Sequence, residues 1–350
     1  MLANLLARTH LKFVVIDKAS PDRRPSRATG LQPRLLELLQ RLGIKDEVLE
    51  RAISLHGSRI FVDGKLTSTT SFFDPRTKSY ALSLDQGILE GMLAGILKKR
   101  GGRVEWSKQL LGLKRHEKGW IANVTDSNCR SEKVAATIVV GCDGGRSKVR
   151  SVLDIAFPGE TYSETAFISD CLVTSDLAPQ FMHFFFTNSF RLVLVPFTQN
   201  RYKVSGGMQA KPFDAGLPLI RRMARDVYPG QLQFEAITDF RFYRMHARSA
   251  EAYSKSNVFL CGDAAHLFPP NGGQGLNLAV EDAFILGELL GHYCKTREEK
   301  SLQSYALRKT QIEEKLAQVK LTKSRYSYEA LISQPIDEQQ ENKRVIKEEL

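Results

Sequence analysis

The stretch Asn257–Leu290, NVFLCGDAAHLFPPNGGQGLNLAVEDAFILGELL, decides how the rest of the chain is read. Val258-Phe259-Leu260-Cys261 is a short apolar run of strand length, and Gly262-Asp263 ends it. Pro269 and Pro270 fix φ and remove two backbone donors. Asn271, Gly272, Gly273 and Gly275 then turn the chain with little bulk in the way of a close approach. Leu276, Ala279, Ala283, Leu286 and Leu290 recur at spacings of three and four, which predicts a helix with one buried stripe. The order is therefore strand, acidic residue, glycine-rich turn, helix start. A helix N-terminus offers free N–H groups and partial positive charge to an anionic or electron-rich ligand. Strand-turn-helix units with glycines are common in α/β proteins, so the weight lies on the whole ordered stretch.

Two upstream segments have the same grammar. Leu11–Ile16 reads as a buried parallel strand ending in Asp17, where a dinucleotide-binding βαβ unit holds a ribose hydroxyl. The glycine fingerprint expected about twenty residues earlier would fall before Met1, and the chain contains no G-x-G-x-x-G. The expectation is that the first strand and its phosphate loop are missing. Ala136–Val140 predicts another buried strand, followed by Gly141-Cys142-Asp143-Gly144-Gly145-Arg146-Ser147 and the cations Lys148 and Arg150. An acidic residue for a ribose, glycines for close approach and a helix start make this segment suitable for a nucleotide.

These motifs, in this order, resemble the FAD-dependent aromatic hydroxylases, the single-component flavoprotein monooxygenases of the p-hydroxybenzoate and phenol hydroxylase type. The resemblance implies an α/β fold: a Rossmann-like FAD-binding lobe of glutathione-reductase type with an inserted, mainly antiparallel β substrate lobe. It implies that Gly262 and Asp263 meet the ribityl or pyrophosphate part of FAD, that Pro269 lies beside the isoalloxazine, and that Gly275, Leu276 and Asn277 face the flavin N1/O2 edge. Asp143 belongs to a segment implicated in both FAD and NADPH binding. Arg27, in the loop before the helix that Leu31, Leu35, Leu38, Leu39 and Leu42 predict, is assigned to the adenosine and pyrophosphate, and Gln86 to the pyrophosphate region. From the residues alone, Asp85 is a helix N-cap and Gln86 nothing more. Arg248 resembles an arginine placed near the ring-side motif. The implied activity is hydroxylation of a small phenolic or polyketide-like aromatic, using FAD, NADPH or NADH and O2, through a flavin C4a-hydroperoxide.

The segments follow this plan. Residues 1–54 form an N-terminally incomplete FAD-binding lobe, 55–84 a β excursion, 85–156 more of the FAD lobe, 157–250 the substrate sheet, 251–295 the return to the FAD lobe, and 296–350 a charged helical tail. Residues 103–126 read as a three-strand meander. In the substrate lobe the phenylalanines of FMHFFF read as packing more than as a substrate box, and His183, Arg191 and Tyr202 are unranked polar candidates. His266 reads as structural, because sequence places no partner beside it.

Composition narrows the alternatives. The chain has 350 residues, 42% hydrophobic and 25% charged, enough for two packed lobes. A net charge of +11, from 50 basic and 39 acidic residues, suits an anionic partner, yet no arginine-aromatic repeat or zinc-finger spacing supports nucleic acid. Five scattered cysteines without a C-x-x-C pair predict reduced thiols in the cytoplasm and no metal framework. No apolar run reaches membrane-spanning length. A homodimer is compatible with all of this. Other flavoproteins of the same fold, such as a quinone-biosynthesis hydroxylase, epoxidase or reductase, remain alternatives, as does a non-catalytic remnant. Halogenases would show W-x-W-x-I-P, and Trp106 and Trp120 stand in other contexts.

Overall fold

The computed structural model describes residues 1–9, 11–21, 28–75, 78–210, 212–225, 227–270 and 273–325, with side chains as far as Val319. Arg27, Asn271, Gly272 and the terminal DEQQENKRVIKEEL lie outside the described residues.

The fold is mixed α/β. Strands Val139–Gly141 and Val258–Leu260 pair in parallel, with Val139 opposite Val258 and Gly141 opposite Leu260. Both are apolar; Val258–Leu260 is buried throughout, whereas Val139 and Val140 are half-buried. A second parallel pair joins Val15–Asp17 to Val104–Trp106. Among the described residues no strand links the two pairs. Residues 104–106 therefore belong to the nucleotide lobe, and the three-stranded meander is Gln109–His116, Gly119–Thr125 and Ser131–Ala136, a shift from the predicted 103–126. Pairing partners, which periodicity does not contain, decide this boundary.

Helix termini form where local chemistry allows. Helix Pro33–Leu42 starts on a proline, whose missing N–H costs nothing there, and ends on Gly43 at φ +82°. Helix Gln86–Lys99 is capped by Asp85, whose carboxylate accepts from Gly87 N.

The long helix Gln274–Thr296 is buried on two sides, where a single stripe was expected. Leu278, Ala283, Leu286 and Leu290 pack with Val258, Phe259 and Leu260, and with Leu302, Tyr305 and Ile312 of the tail. Val280 and Phe284 pack on the other side against Leu35, Leu39, Leu89 and Met92. A helix apolar on most of its surface is a core element, and this one joins two hydrophobic clusters.

The larger sheet has seven strands, in the order Leu232–Tyr243, Thr165–Ser175, Arg201–Met208, Phe190–Thr198, Phe181–Phe186, Gly57–Val62 and Lys65–Ser71. All neighbours are antiparallel except Phe181–Phe186 with Gly57–Val62. Residues 57–71 thus extend the sheet built from 165–243. Helix Leu217–Arg225, which the aromatic-rich reading of this region passed over, covers one face. Its Leu219, Ile220 and Met223 pack on Phe167, Phe185, Leu192 and Val204.

Candidate functional site

Parallel α/β sheets bind ligands in the crevice beyond the carboxyl ends of their strands. Three of the expected acidic residues stand at such ends. Asp17 closes its strand and is exposed, with Oδ1 accepting from Ala19 N at 2.8 Å. Asp143 lies two residues beyond Gly141, and Asp263 three beyond Leu260; both are exposed. Because Gly141 and Leu260 are register partners, these last two carboxylates leave neighbouring strands. Asp17 leaves the separate pair.

Asp143 is held by the helix it precedes. Its Oδ2 accepts from Lys148 N at 2.6 Å and Val149 N at 3.1 Å, while Ser147 Oγ accepts from Arg150 N at 3.0 Å. Arg150 is not available to a ligand. It is buried, donates to Ala264 O at 2.7 Å and Gly145 O at 2.8 Å, and lies 3.7 Å over the Phe157 ring. It ties the DG segment to the GDAAH segment. Arg248 is similarly engaged with Phe157 O and Thr161 Oγ1.

Gly262 adopts φ +62°, and a Cβ there would sit 3.0 Å from Ala279 Cβ. Only glycine serves at this left-handed position packed against the long helix. Gly273 also has positive φ, +61°, and forms the N-cap of that helix. A Cβ added at Gly273 or Gly275 would meet nothing within 4 Å, so both face open space at the helix start. Pro269 is buried and Leu276 half-buried. Gln274 adds an observation that the sequence reading missed. Its Oε1 is buried and has no hydrogen-bond partner among the described residues. An unsatisfied buried acceptor costs about 1–3 kcal/mol, so a donor from an incoming ligand is the natural complement.

Asn277 is used internally. Its Oδ1 accepts from Gln32 N at 2.9 Å, and its Nδ2 donates to Gly30 O at 3.1 Å and Gly273 O at 2.8 Å. Its side chain clamps the 30–32 segment onto the glycine turn. Gln86 holds the neighbouring segment, with Oε1 accepting from Ala28 N at 3.2 Å and Nε2 donating to Glu90 at 2.7 Å. The structure thus brings Gln86 beside the residue that follows Arg27.

Behind the site lies a buried polar network. His266 Nε2 donates to Asp282 Oδ2 at 2.5 Å, Gly262 N donates to the same oxygen at 3.1 Å, and Arg308 Nε donates to Asp282 Oδ1 at 2.7 Å. Arg308 also pairs with Glu281 at 2.8 Å. Burial pushes the Asp282 carboxyl up, but the His266 hydrogen bond and the Arg308 guanidinium outweigh it and hold the group below its ordinary value. His266 is structural, and the partner that sequence left blank is Asp282. The acidic pair Glu281-Asp282 within a largely apolar helix was the available signal.

The substrate sheet resolves the three unranked candidates. His183 and Tyr202 are buried on the face covered by helix Leu217–Arg225, with Phe61 and Phe185 beside His183. Arg191 lies on the other face, paired with Glu164 at 2.7 Å, and a Cβ on Gly207 would touch its guanidinium. That face also carries Ile60, Val62, Phe184 and Phe186 as a separate apolar cluster. Lys203, on the same side, pairs with Asp170 and lies 3.9 Å from Asp85, the cap of helix Gln86–Lys99. The phenylalanines therefore divide, Phe185 into the core and Phe184 and Phe186 onto the face that carries Lys203.

Known proteins place these features in context. The sequence model of the FAD-binding domain matches residues 1–320. Rifampicin monooxygenase of Streptomyces venezuelae is 33% identical over 299 residues, covering 82% of this chain and 60% of that protein. Pentachlorophenol 4-monooxygenase of Sphingobium chlorophenolicum is 26% identical over 303 residues, covering 81% and 54%. The chain thus spans little more than half the length of these relatives. Among solved structures, aklavinone-11 hydroxylase in complex with FAD and aklavinone superposes with a TM-score of 0.72 at 25% identity, over 84% of this chain and 60% of that one. p-Nitrophenol 4-monooxygenase from Pseudomonas putida DLL-E4 shares the fold, with a TM-score of 0.81 at 21% identity over 99% and 90%. With the domain match running through all but the last thirty residues, and strands, glycine turn and long helix placed as that fold requires, the chain belongs to the FAD-binding-domain family of the FAD-dependent aromatic hydroxylases.

Proposed function

We propose that this chain holds FAD in the crevice between its parallel strands and its seven-stranded sheet, and serves an NADPH- or NADH-dependent monooxygenase that hydroxylates a small aromatic molecule. The observation that carries the reading is the start of the long helix. Gly273 and Gly275 leave open space there, and among the described residues the buried Gln274 Oε1 lacks a donor. A planar heterocycle carrying an imide N–H has the chemistry to fill the one and satisfy the other. When bound, FAD supplies the redox and oxygen chemistry.

The residues present fit such a group. In this reading Asp263 and Gly262 bind its ribityl-pyrophosphate region, and the N–H groups at the start of the long helix face its electron-rich edge. Asp17 and Asp143 receive ribose hydroxyls, Arg27 and Gln86 serve the pyrophosphate side, and Pro269, Leu276 and Asn277 shape the ring pocket. Asn277 does so by holding the turn, since its side-chain amide is committed to backbone. Phe184, Phe186, Ile60 and Val62 supply an apolar face that excludes water from a flat substrate. Arg191 and Lys203 carry positive charge onto the same side, each neutralised by a carboxylate. The reaction proceeds in the cytoplasm, and O2 is a co-substrate.

The test is an FAD titration of the purified chain followed by visible absorption, then NADPH oxidation against a panel of phenols. Saturable appearance of protein-bound flavin bands is the expected result, and Asp263→Ala lowers the affinity at least tenfold. A chain that binds no flavin under any of these conditions sinks the proposal and favours the remnant.

A further inference from the structure

Two cysteines that the cofactor reading does not use stand side by side at the mouth of the crevice. The parallel register ends with Gly141 opposite Leu260, and Cys142 and Cys261 are the next residue on each strand. The ladder continues to this point, since Cys261 N donates to Gly141 O at 3.0 Å. Successive side chains of a strand alternate between faces, so register neighbours on parallel strands project to the same side. Neighbouring strands lie about 4.8 Å apart, within the roughly 4.4–6.8 Å Cα separation that a disulfide spans. The two thiols lie close enough for each to shift the other's titration. Cys142 is exposed and Cys261 buried.

We propose that Cys142 and Cys261 are an oxidation site, a cross-strand dithiol that hydrogen peroxide converts to a disulfide joining the DG and GD strands. The two residues have distinct parts. The interaction with Cys261 holds the Cys142 thiol below its ordinary range, while that same interaction and burial push Cys261 well above it. Cys142, exposed and with more thiolate character, is the attacking sulfur. Its thiolate attacks one peroxide oxygen, the O–O bond breaks, one water is released after protonation, and Cys142 becomes a sulfenic acid. The Cys261 sulfur then attacks the sulfenic sulfur, the S–O bond breaks, and a second water leaves. The sum is two thiols and one peroxide giving one disulfide and two waters; the thiols lose two electrons and the peroxide gains them.

The location gives the bond a consequence. Asp143 directly follows Cys142, and Gly262-Asp263 directly follows Cys261. A disulfide here fixes the spacing of the two acidic turns. The inference stands on strand register and thiol proximity and does not depend on which ligand those turns bind.

The experiment treats the purified chain with hydrogen peroxide, then measures intact mass, free-thiol titre and a non-reducing peptide map. The expected result is a loss of about 2 Da, reversed by dithiothreitol. The thiol titre falls from five to three, and the linked peptides contain Cys142 and Cys261. In Cys261→Ser, dimedone labels Cys142 and no internal disulfide forms, with circular dichroism confirming a folded chain. The wild-type map needs no variant to fold. An unchanged thiol titre overturns the proposal. So does a disulfide mapped to Cys129, Cys171 or Cys294, or a gain of about 32 Da on Cys142 as sulfinic acid without pairing.

Discussion

Single residues show where burial overrides residue type. His183 is 0% exposed, with Nε2 donating to Ala178 O at 3.0 Å and Nδ1 without a partner among the described residues. Burial pushes its pKa down to about 4, against the opposing effect of the Ala178 hydrogen bond. The folded-state value lies below the unfolded 6.5, so the contribution to stability is present above pH 6.5 and is lost as pH falls towards 4. His183→Leu is therefore expected to flatten the pH dependence of the urea midpoint across that window relative to the wild type, by up to about 3 kcal/mol. Equal slopes in the two proteins would refute this. Arg308 presents the opposite case, a charge that must stay because another buried charge needs it. Arg308→Met leaves Asp282, itself 0% exposed, with an unpaired oxygen, and is expected to cost about 3–5 kcal/mol, seen as a lowered Tm; Arg308→Lys recovers part of it.

At the scale of elements, the glycine turn and the long helix are held by two clamps. Asn277 makes three hydrogen bonds to the backbone of Gly30, Gln32 and Gly273. Asn277→Ala should cost about 2–3 kcal/mol by calorimetry and weaken flavin retention, since the turn loses its tie to the segment near Arg27. Gly262→Ala places a Cβ at φ +62° and 3.0 Å from Ala279 Cβ. Strain and crowding there are expected to cost about 1–3 kcal/mol, and Ala279→Gly in the same chain should restore the crowding part but not the strain. Because a mid-helix glycine itself costs about 1 kcal/mol, the readout is the coupling in a double-mutant cycle, and zero coupling would show that packing was not involved.

Across the whole molecule, side chains from one segment complete another. Arg150 binds the carbonyls of Gly145 and Ala264, uniting the DG and GDAAH segments, which lie more than a hundred residues apart. Lys203 of the seven-stranded sheet reaches the carboxylate that caps helix Gln86–Lys99. The tail returns to the core, where Tyr305 is 0% exposed and donates to Leu260 O at 3.0 Å. Removing residues from 298 onward takes away both Tyr305 and Arg308. It is expected to yield a chain that unfolds at a lower temperature and loses flavin first, which a thermal scan followed at flavin and protein wavelengths would detect.

What could be read in advance was whatever depends on neighbours along the chain. Strand 258–260, the Gly273 and Gly275 turn, the helix from Gln274, the Asp85 cap and the Gly43 stop all follow from local steric and hydrogen-bonding rules, and the ordered motifs carry the family. Partner choice was not legible. That residues 104–106 pair with 15–17, that the long helix is buried on two sides, that Asp282 answers both His266 and Arg308, and that Arg191 and His183 lie on opposite faces of one sheet are contacts between distant segments. Periodicity records which positions are buried, while only the packed structure decides against what, because burial is local in pattern and its partners are not.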